Sequence, residues 1–391
     1  MTIYEERFQT AVEKVKAEKR YRTFTPLEYR QFPVAYVPSL MREIVVWCSN
    51  NYLGMSQNQN VVDALCKSAT TVGVSAGGTR NISGTHVAID QLESELSDLH
   101  GKEKALVFTS GYIANQSTIG AIGKIMPDCV IFSDADNHAS IIHGIRESKL
   151  EKNIFRHNDV EHLRELISAY PKEKPKLIVF ESVYSMSGSI APFGKIIEIA
   201  EEFNAMTYLD EVHAVGIYGN EGEGMAGQCN YAHKIDIIQG TLGKAFGVIG
   251  GYIASKSSIV DAIRSTAPGF IFTTTLPPCI AAAATASIRH LRASKFEREK
   301  HREVVMKTKR ALEKGGINCM ESNSHIIPVF VGDAEKSREM SVALLEKFNI
   351  YVQNINFPTV PVGRERLRIT PTPFHSDEMI GHLVKSLKEV I

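Results

Sequence analysis

The 391-residue sequence predicts an α/β fold with a large lobe, a smaller C-terminal α/β lobe and an N-terminal arm. The large lobe is expected to hold a mainly parallel sheet covered by helices on both faces. Three observations carry this. Short apolar runs recur between about Asn50 and Leu276, each run ends in a polar or glycine-rich turn, and each turn leads into a helical pattern. Ala105-Leu106-Val107-Phe108 leads into Thr109-Ser110-Gly111-Tyr112, and Val130-Ile131-Phe132 into Ser133-Asp134. Leu177-Ile178-Val179-Phe180 leads into Glu181-Ser182, and Met206-Thr207-Tyr208-Leu209 into Asp210. In such sheets ligands collect at the carboxyl ends of the strands, where these polar residues sit.

The flanking elements follow in order. Phe8, Ala11, Val12 and Val15 repeat at the helical period in an N-terminal arm, residues 1–49. An irregular stretch around Pro26, Pro33 and Pro38 comes next. The large lobe is placed at 50–285 and the small lobe at 286–391. The last helix shows Met379, Ile380, Leu383, Val384 and Leu387 at helical spacing, with Ser376 or Asp377 as N-cap.

Composition narrows the function classes. Lysine plus arginine and aspartate plus glutamate both number 44, which leaves no electrostatic case for nucleic acid or an anionic membrane. The charged start, Met1 to Arg7, has no apolar signal region, and no apolar run is long enough to span a bilayer. The six cysteines include no CxxC pair, which argues against a zinc site and suggests reduced thiols in the cytoplasm; no metal is expected.

The chemistry centres on Lys244 in Gly243-Lys244-Ala245-Phe246-Gly247. Small and apolar neighbours suit a desolvated, nucleophilic amine. A phosphate-binding Walker loop needs four residues between its glycines and a hydroxyl residue after the lysine. Here Gly240 and Gly243 enclose two residues and Ala245 follows, so that reading fails. Asp210 and His213 end an apolar segment. A lysine with such a carboxylate suits pyridoxal phosphate (PLP), which needs an amine for its aldehyde and an acid for its ring nitrogen. His213 can reach the phenolic oxygen. His138, in Asn137-His138-Ala139-Ser140, can stack on a planar cofactor or merely cap a helix. Ser110 and the amides after it can bind phosphate at a helix N-terminus, and Thr273 and Thr274 offer further hydroxyls. Gly222-Glu223-Gly224-Met225-Ala226-Gly227 matches a dinucleotide fingerprint but lacks a strand directly before it, so no dinucleotide is expected. Arg364, Arg366 and Arg368 share one side of an extended segment. They form either a solvated edge or a carboxylate clamp.

Together these residues resemble the α-oxoamine synthases, which are fold type I PLP-dependent transferases. The likeness covers nearly the whole chain, including Asn51-Tyr52-Leu53-Gly54, Glu181 to Met186, Asp210 to Gly216 and Gly240 to Gly251. Gly77-Gly78-Thr79-Arg80-Asn81-Ile82-Ser83-Gly84 and Ile355-Asn356-Phe357-Pro358-Thr359-Val360-Pro361 point to the aminolevulinate branch. Departures stand at Asn51, Ile89 and Ser187 and leave room for a member serving a secondary pathway. The resemblance implies a decarboxylating condensation of glycine with succinyl-CoA in a homodimer with shared active sites. It makes Lys244 the Schiff-base lysine and proton-transfer base, with Asp210, His213 and His138 around the ring. It assigns Ser110, Gly111, Tyr112, Ser185 and Thr241 to the cofactor, joined by Thr273 and Thr274 of the second subunit. Arg368 would bind the glycine carboxylate. Arg22, Thr79, Asn81, Ile82 and Thr359 would surround the succinyl chain, and Asn50, Ser133 and Lys152 would line the substrate and CoA site.

Overall fold

The computed structural model describes residues 2–391, which form two compact units. One holds Asn50–Ser185 and Ser189–Lys300; the other holds the chain up to Ser49, Met186–Gly188 and His301–Ile391. The arm's end at residue 49 coincides with a unit boundary. The helix Pro278–Ala293 packs on the helices Gln59–Val72 and Val87–Leu99 of the larger unit.

The larger unit is built on a seven-stranded sheet. Across it run Lys104–Phe108, Gly251–Ser255, Ile237–Thr241, Met206–Asp210, Lys176–Glu181, Val130–Asp134 and Glu151–Phe155. The last five are mutually parallel, and Gly251–Ser255 is antiparallel to both its neighbours. Strands buried on both faces read as continuous apolar runs, which is why Lys176–Glu181 is buried at every position. Successive residues serve opposite faces. Ala105 and Val107 join one core with Leu92, Leu96 and Ile288, and Leu106 and Phe108 join another with Ile119, Ile141 and Phe270. Asp134, Glu181, Asp210 and Thr241 each close a parallel strand and therefore gather at one edge of the sheet.

The helices Gly111–Ile125 and Ala139–Ser148 cover the second of these faces. Their close approach depends on Gly123, where a Cβ would lie 2.4 Å from the Ser148 carbonyl oxygen. Gly123→Ala is expected to lower stability by about 1–3 kcal/mol through overpacking, read as a lower denaturant midpoint with unchanged slope. A midpoint equal to the parent's would show that these helices can separate without loss.

The second unit carries two small sheets. One orders Glu28–Gln31, Val34–Val37, Arg42–Val46 and Ile350–Tyr351; the other orders Ile327–Phe330, Arg366–Ile369 and Asn354–Ile355. Trp47 is fully buried and stacks on His375 with ring centroids 3.8 Å apart. The C-terminal helix, Asp377–Val390, is capped by Ser376, whose side chain accepts from the Met379 amide. At the other end, the helix Ile3–Ala17 opens with a capping box of Thr2 and Glu5. None of its residues is buried, and Phe8 is 76% exposed. The expected apolar face is there, without cover from its own chain. No helix among the described residues is long and apolar enough to cross a membrane.

Candidate active site

A cavity of about 270 Å³ opens at the carboxyl edge of the large sheet. Lys244, Asp210, His213, His138, Asn50, Gly111, Tyr112 and Thr241 line it, together with Asn115, Ser140, Glu181 and Val212. Its size is near the lower end of small-molecule sites, roughly 300–1,000 Å³.

Lys244 is held by its neighbours in sequence. Leu242, Ala245 and Phe246 are fully or almost fully buried, and the loop closes on itself through Gly247 N to Lys244 O, 2.9 Å, and Val248 N to Leu242 O, 3.0 Å. The turn after Asp210 packs against this loop at Gly216, whose φ is +82° and whose added Cβ would meet the Ala245 Cβ at 2.7 Å. A left-handed backbone at so close a contact requires glycine. The turn carries His213 towards the amine. Lys244 Nζ lies 2.7 Å from His213 Nε2, and His213 Nδ1 lies 2.7 Å from the Tyr52 hydroxyl. Tyr52 donates onward to Asn50 Oδ1 at 3.0 Å. One polarity satisfies this series: Lys244 donates to Nε2, Nδ1–H donates to Tyr52, and Tyr52 donates to Asn50.

Asp210 is 4% exposed and accepts on both oxygens. The Val212 amide reaches Oδ1 at 2.8 Å, and Asn115 Nδ2 reaches Oδ2 at 2.7 Å. Asn115 is held in turn by the Tyr208 hydroxyl, 2.8 Å from its Oδ1. Both carboxylate oxygens are thus occupied by donors. Asn115 Nδ2 also donates to Ser140 Oγ at 2.9 Å, and Ser140 Oγ lies 2.7 Å from His138 Nδ1. The Ser140 amide donates to that same Nδ1, which must therefore be an acceptor. Burial pushes the His138 imidazole below its ordinary value, against the pull of Asp210 and with the help of the Lys244 charge. That direction favours the neutral ring, and His138 lines the cavity.

Gly111 opens a 15-residue helix whose N-cap is Ser110. The Ser110 hydroxyl accepts from the Ile113 amide at 3.2 Å, so it serves the helix first. The first-turn amides of Gly111 and Tyr112 have no intrahelical acceptor by geometry, and the helix dipole favours an anion beside them. Thr241 donates to Gly250 O at 2.9 Å and accepts from Gly243 N at 3.2 Å. The GxGxxG segment is filled from within the chain. The Glu211 carboxylate accepts from Met225 N at 3.1 Å and Ala226 N at 2.7 Å, where a dinucleotide phosphate would need those amides.

The donor set fits PLP. One primary amine, one carboxylate held by two donors, one neutral imidazole and one helix N-terminus converge on a cavity of cofactor size. Residues 42–387 match the family profile of class I and II aminotransferases. The chain is 53% identical to the 5-aminolevulinate synthase of Bradyrhizobium diazoefficiens, over 99% of this chain and 96% of that one. It is 52% identical to the 5-aminolevulinate synthase of Rickettsia felis, over 100% and 94%. The chain belongs to the 5-aminolevulinate synthase family. Among solved structures it is similar to an SPT with PLP, at TM-score 0.92 and 29% identity, over 100% of this chain and 98% of that one.

The remaining residues expected in such a synthase lie outside this cavity. Thr79, Asn81 and Ile82 sit in a tight loop closed by Gly84 N to Thr79 O, 2.8 Å, and Ile82 is 85% exposed. Arg80 braces that loop by a two-pronged pair with Glu93, at 2.7 and 3.0 Å. The Thr275 amide donates to Gly78 O at 3.2 Å, which ties the segment of Thr273 and Thr274 to the same loop. Ser133 is buried and accepts from Asn137 Nδ2 at 2.9 Å. Lys152 is exposed on the sheet's edge strand, Glu151–Phe155, and Ser185 is half-buried.

In the other unit, Arg22 donates to Asn356 Oδ1 at 3.3 Å, and the Thr359 amide donates to Asn356 O at 3.0 Å. Asn356 thus joins two residues expected at the substrate. The arginine segment is not a solvated edge. Arg366–Ile369 is the central strand of its sheet, and Arg366 and Arg368 are buried at 4% and 6% exposure. Arg366 donates to Arg364 O and Met186 O, both at 2.9 Å. Arg364 precedes the strand and is exposed, so the three do not act alike. Asn115, Ser140, Glu181, Tyr52 and Asn356 were not singled out from sequence as site residues. The sequence signal for Asn115 is a polar residue one helical turn beyond Gly111, the first residue of the helix.

Proposed function

We propose that this chain condenses glycine with succinyl-CoA on PLP, releasing CoA and CO2 and forming 5-aminolevulinate for haem synthesis. The observation that carries this is Lys244 and Asp210 on one cavity, in a chain of this family. PLP, when bound, supplies an aldehyde that holds an amino group and a ring that accepts the charge of a carbanion.

The chain's own residues do the rest. Lys244 Nζ binds the cofactor and then moves the proton of glycine's α-carbon, a transfer that its bond to His213 Nε2 orients. Asp210 holds a proton at the ring nitrogen, and His138 covers the ring face. His213 would hold the phenolic oxygen through Nε2 once that nitrogen no longer meets Lys244. Gly111 and Tyr112 bind the phosphate through their amides, with Ser110, Ser185 and Thr241 beside them. Arg368 binds the glycine carboxylate by a two-pronged contact. Arg22, Thr79, Asn81, Ile82 and Thr359 enclose the succinyl chain, and Asn50, Ser133 and Lys152 meet the rest of the acyl-CoA.

The working unit is a homodimer in which Thr273 and Thr274 of the second copy complete the phosphate site. Support comes from apolar side chains without cover: Phe272 is 81% exposed, Ile82 85% and Phe8 76%. The six cysteines are free thiols, which supports a cytoplasmic setting.

A turnover assay with glycine and a panel of acyl-CoAs tests the assignment. Succinyl-CoA is expected to exceed acetyl-CoA by about 10²-fold or more in kcat/KM, because a guanidinium facing no carboxylate is left unpaired. Equal or faster turnover with acetyl- or longer acyl-CoA would assign a different acyl donor.

A further inference from the structure

Two buried carboxyl groups line the cavity from adjacent strands. Glu181 closes the strand Lys176–Glu181, Asp210 closes Met206–Asp210, and the parallel register sets one directly opposite the other. Neighbouring strands lie about 4.8 Å apart, and residues in register project to the same face. Glu181 is 2% exposed, and both residues line the cavity. Burying two like charges in register is costly, and a proton held by one of the two relieves that cost.

The hydrogen-bond donors decide which group carries it. Asp210 has one on each oxygen, from Val212 N and Asn115 Nδ2. Glu181 receives the His138 amide on Oε1 alone, at 2.5 Å. Its second oxygen is the one place in the pair where a proton displaces no donor.

We propose that Glu181 is a neutral carboxylic acid that positions the His138 loop and leaves Asp210 as the single negative charge of the pair. The groups that face Glu181 support this. Burial is the main cause that pushes its carboxyl well above the ordinary value, and the Asp210 charge adds to it. The His138 amide and the Lys244 charge act the other way, and Asp134 adds a smaller push upward. The device has a structural purpose. His138 is the N-cap of the helix Ala139–Ser148. Glu181 holds its backbone and Ser140 holds its ring, so the imidazole is fixed at two points. A second full charge beside Asp210 would draw protons and cations away from the cavity side of that carboxylate. A neutral acid gives the same backbone hydrogen bond without that competition. Glu181 is thus a positioning residue; its bearing on the reaction rests on the PLP reading, and its protonation state does not.

Glu181→Gln and Glu181→Leu separate the alternatives. The glutamine amide oxygen can still accept from the His138 amide and carries no charge, whereas leucine offers no acceptor. The first measurement is the infrared difference between parent and E181Q at neutral pH, both free of cofactor. The expected result is the carbonyl band of a protonated carboxylic acid in the parent; carboxylate bands in its place overturn the proposal. The second is PLP titration. E181Q is expected within about threefold of the parent and E181L weaker by about tenfold or more, the cost of a lost acceptor. Equal weakening of both variants would show that the charge of Glu181 matters and would also overturn it. If no form binds PLP, the functional reading fails, and the infrared result still decides the state of Glu181.

Discussion

Lys244→Ala is expected to lower kcat by about 10³-fold or more and to abolish the visible absorbance of a lysine-bound aldehyde cofactor. Among the described residues lining the cavity, Lys244 is the only lysine, so no second amine is placed to take over. Its position is set from both sides. The loop is anchored by Leu242, Ala245 and Phe246, and the amine is aimed by His213, which Tyr52 and Asn50 hold in one tautomer. On the proposed function alanine removes the nucleophile and the base together, and both losses fall on the chemical step rather than on substrate binding. The expected pattern is therefore a collapse of kcat with a comparatively small change in the KM for succinyl-CoA. Lys244→Arg keeps a cation near His213 but cannot form the covalent bond, and it is expected to be as inactive as the alanine variant. Single-turnover measurements with absorbance spectra check all three statements. Turnover within about tenfold of the parent in either variant would remove Lys244 from the chemistry.

Much of this frame was legible in the sequence because it depends on local pattern. The apolar runs before Asp134, Glu181 and Asp210 became strands, and two of the residues that end them, Glu181 and Asp210, line the site. Ser376 caps its helix through a bond spanning three residues, which a sequence can display. The partners of the site residues were hidden because they come from distant parts of the chain. Tyr52 meets His213 across 161 positions, and Asn115 meets Asp210 across 95. No periodicity encodes such a pairing. Arg366 and Arg368 were ambiguous for a related reason. Alternation assigns a side but not whether that side is covered, and only the sheet order shows the strand to be central. The antiparallel strand Gly251–Ser255 was absorbed into the lysine motif, because its glycine-rich approach looks like loop when read alone.

Asp210→Asn is expected to lower kcat by about 10²- to 10⁴-fold, with cofactor binding weakened by about tenfold. The change is nearly isosteric, so the loss isolates charge from shape. In the parent both oxygens accept: Oδ1 from the Val212 amide and Oδ2 from Asn115 Nδ2. An asparagine there presents one oxygen and one amide nitrogen. Whichever way it turns, its amide nitrogen faces one of those donors, and at 4% exposure water cannot readily relieve the mismatch. Asn115 cannot simply rotate to help, since its oxygen is bound to the Tyr208 hydroxyl and its nitrogen to Ser140. The disturbance is therefore expected to travel through Ser140 to His138, so one substitution affects both the carboxylate and the imidazole that would hold the cofactor. A second variant divides these effects. Asn115→Ala deletes one donor to Asp210 but leaves the charge, and it is expected to cost only about tenfold in kcat. The comparison rests on steady-state rates with glycine and succinyl-CoA, together with PLP titration of each variant. Equal losses in Asp210→Asn and Asn115→Ala would mean that the network, and not the negative charge on Asp210, supplies the catalytic effect.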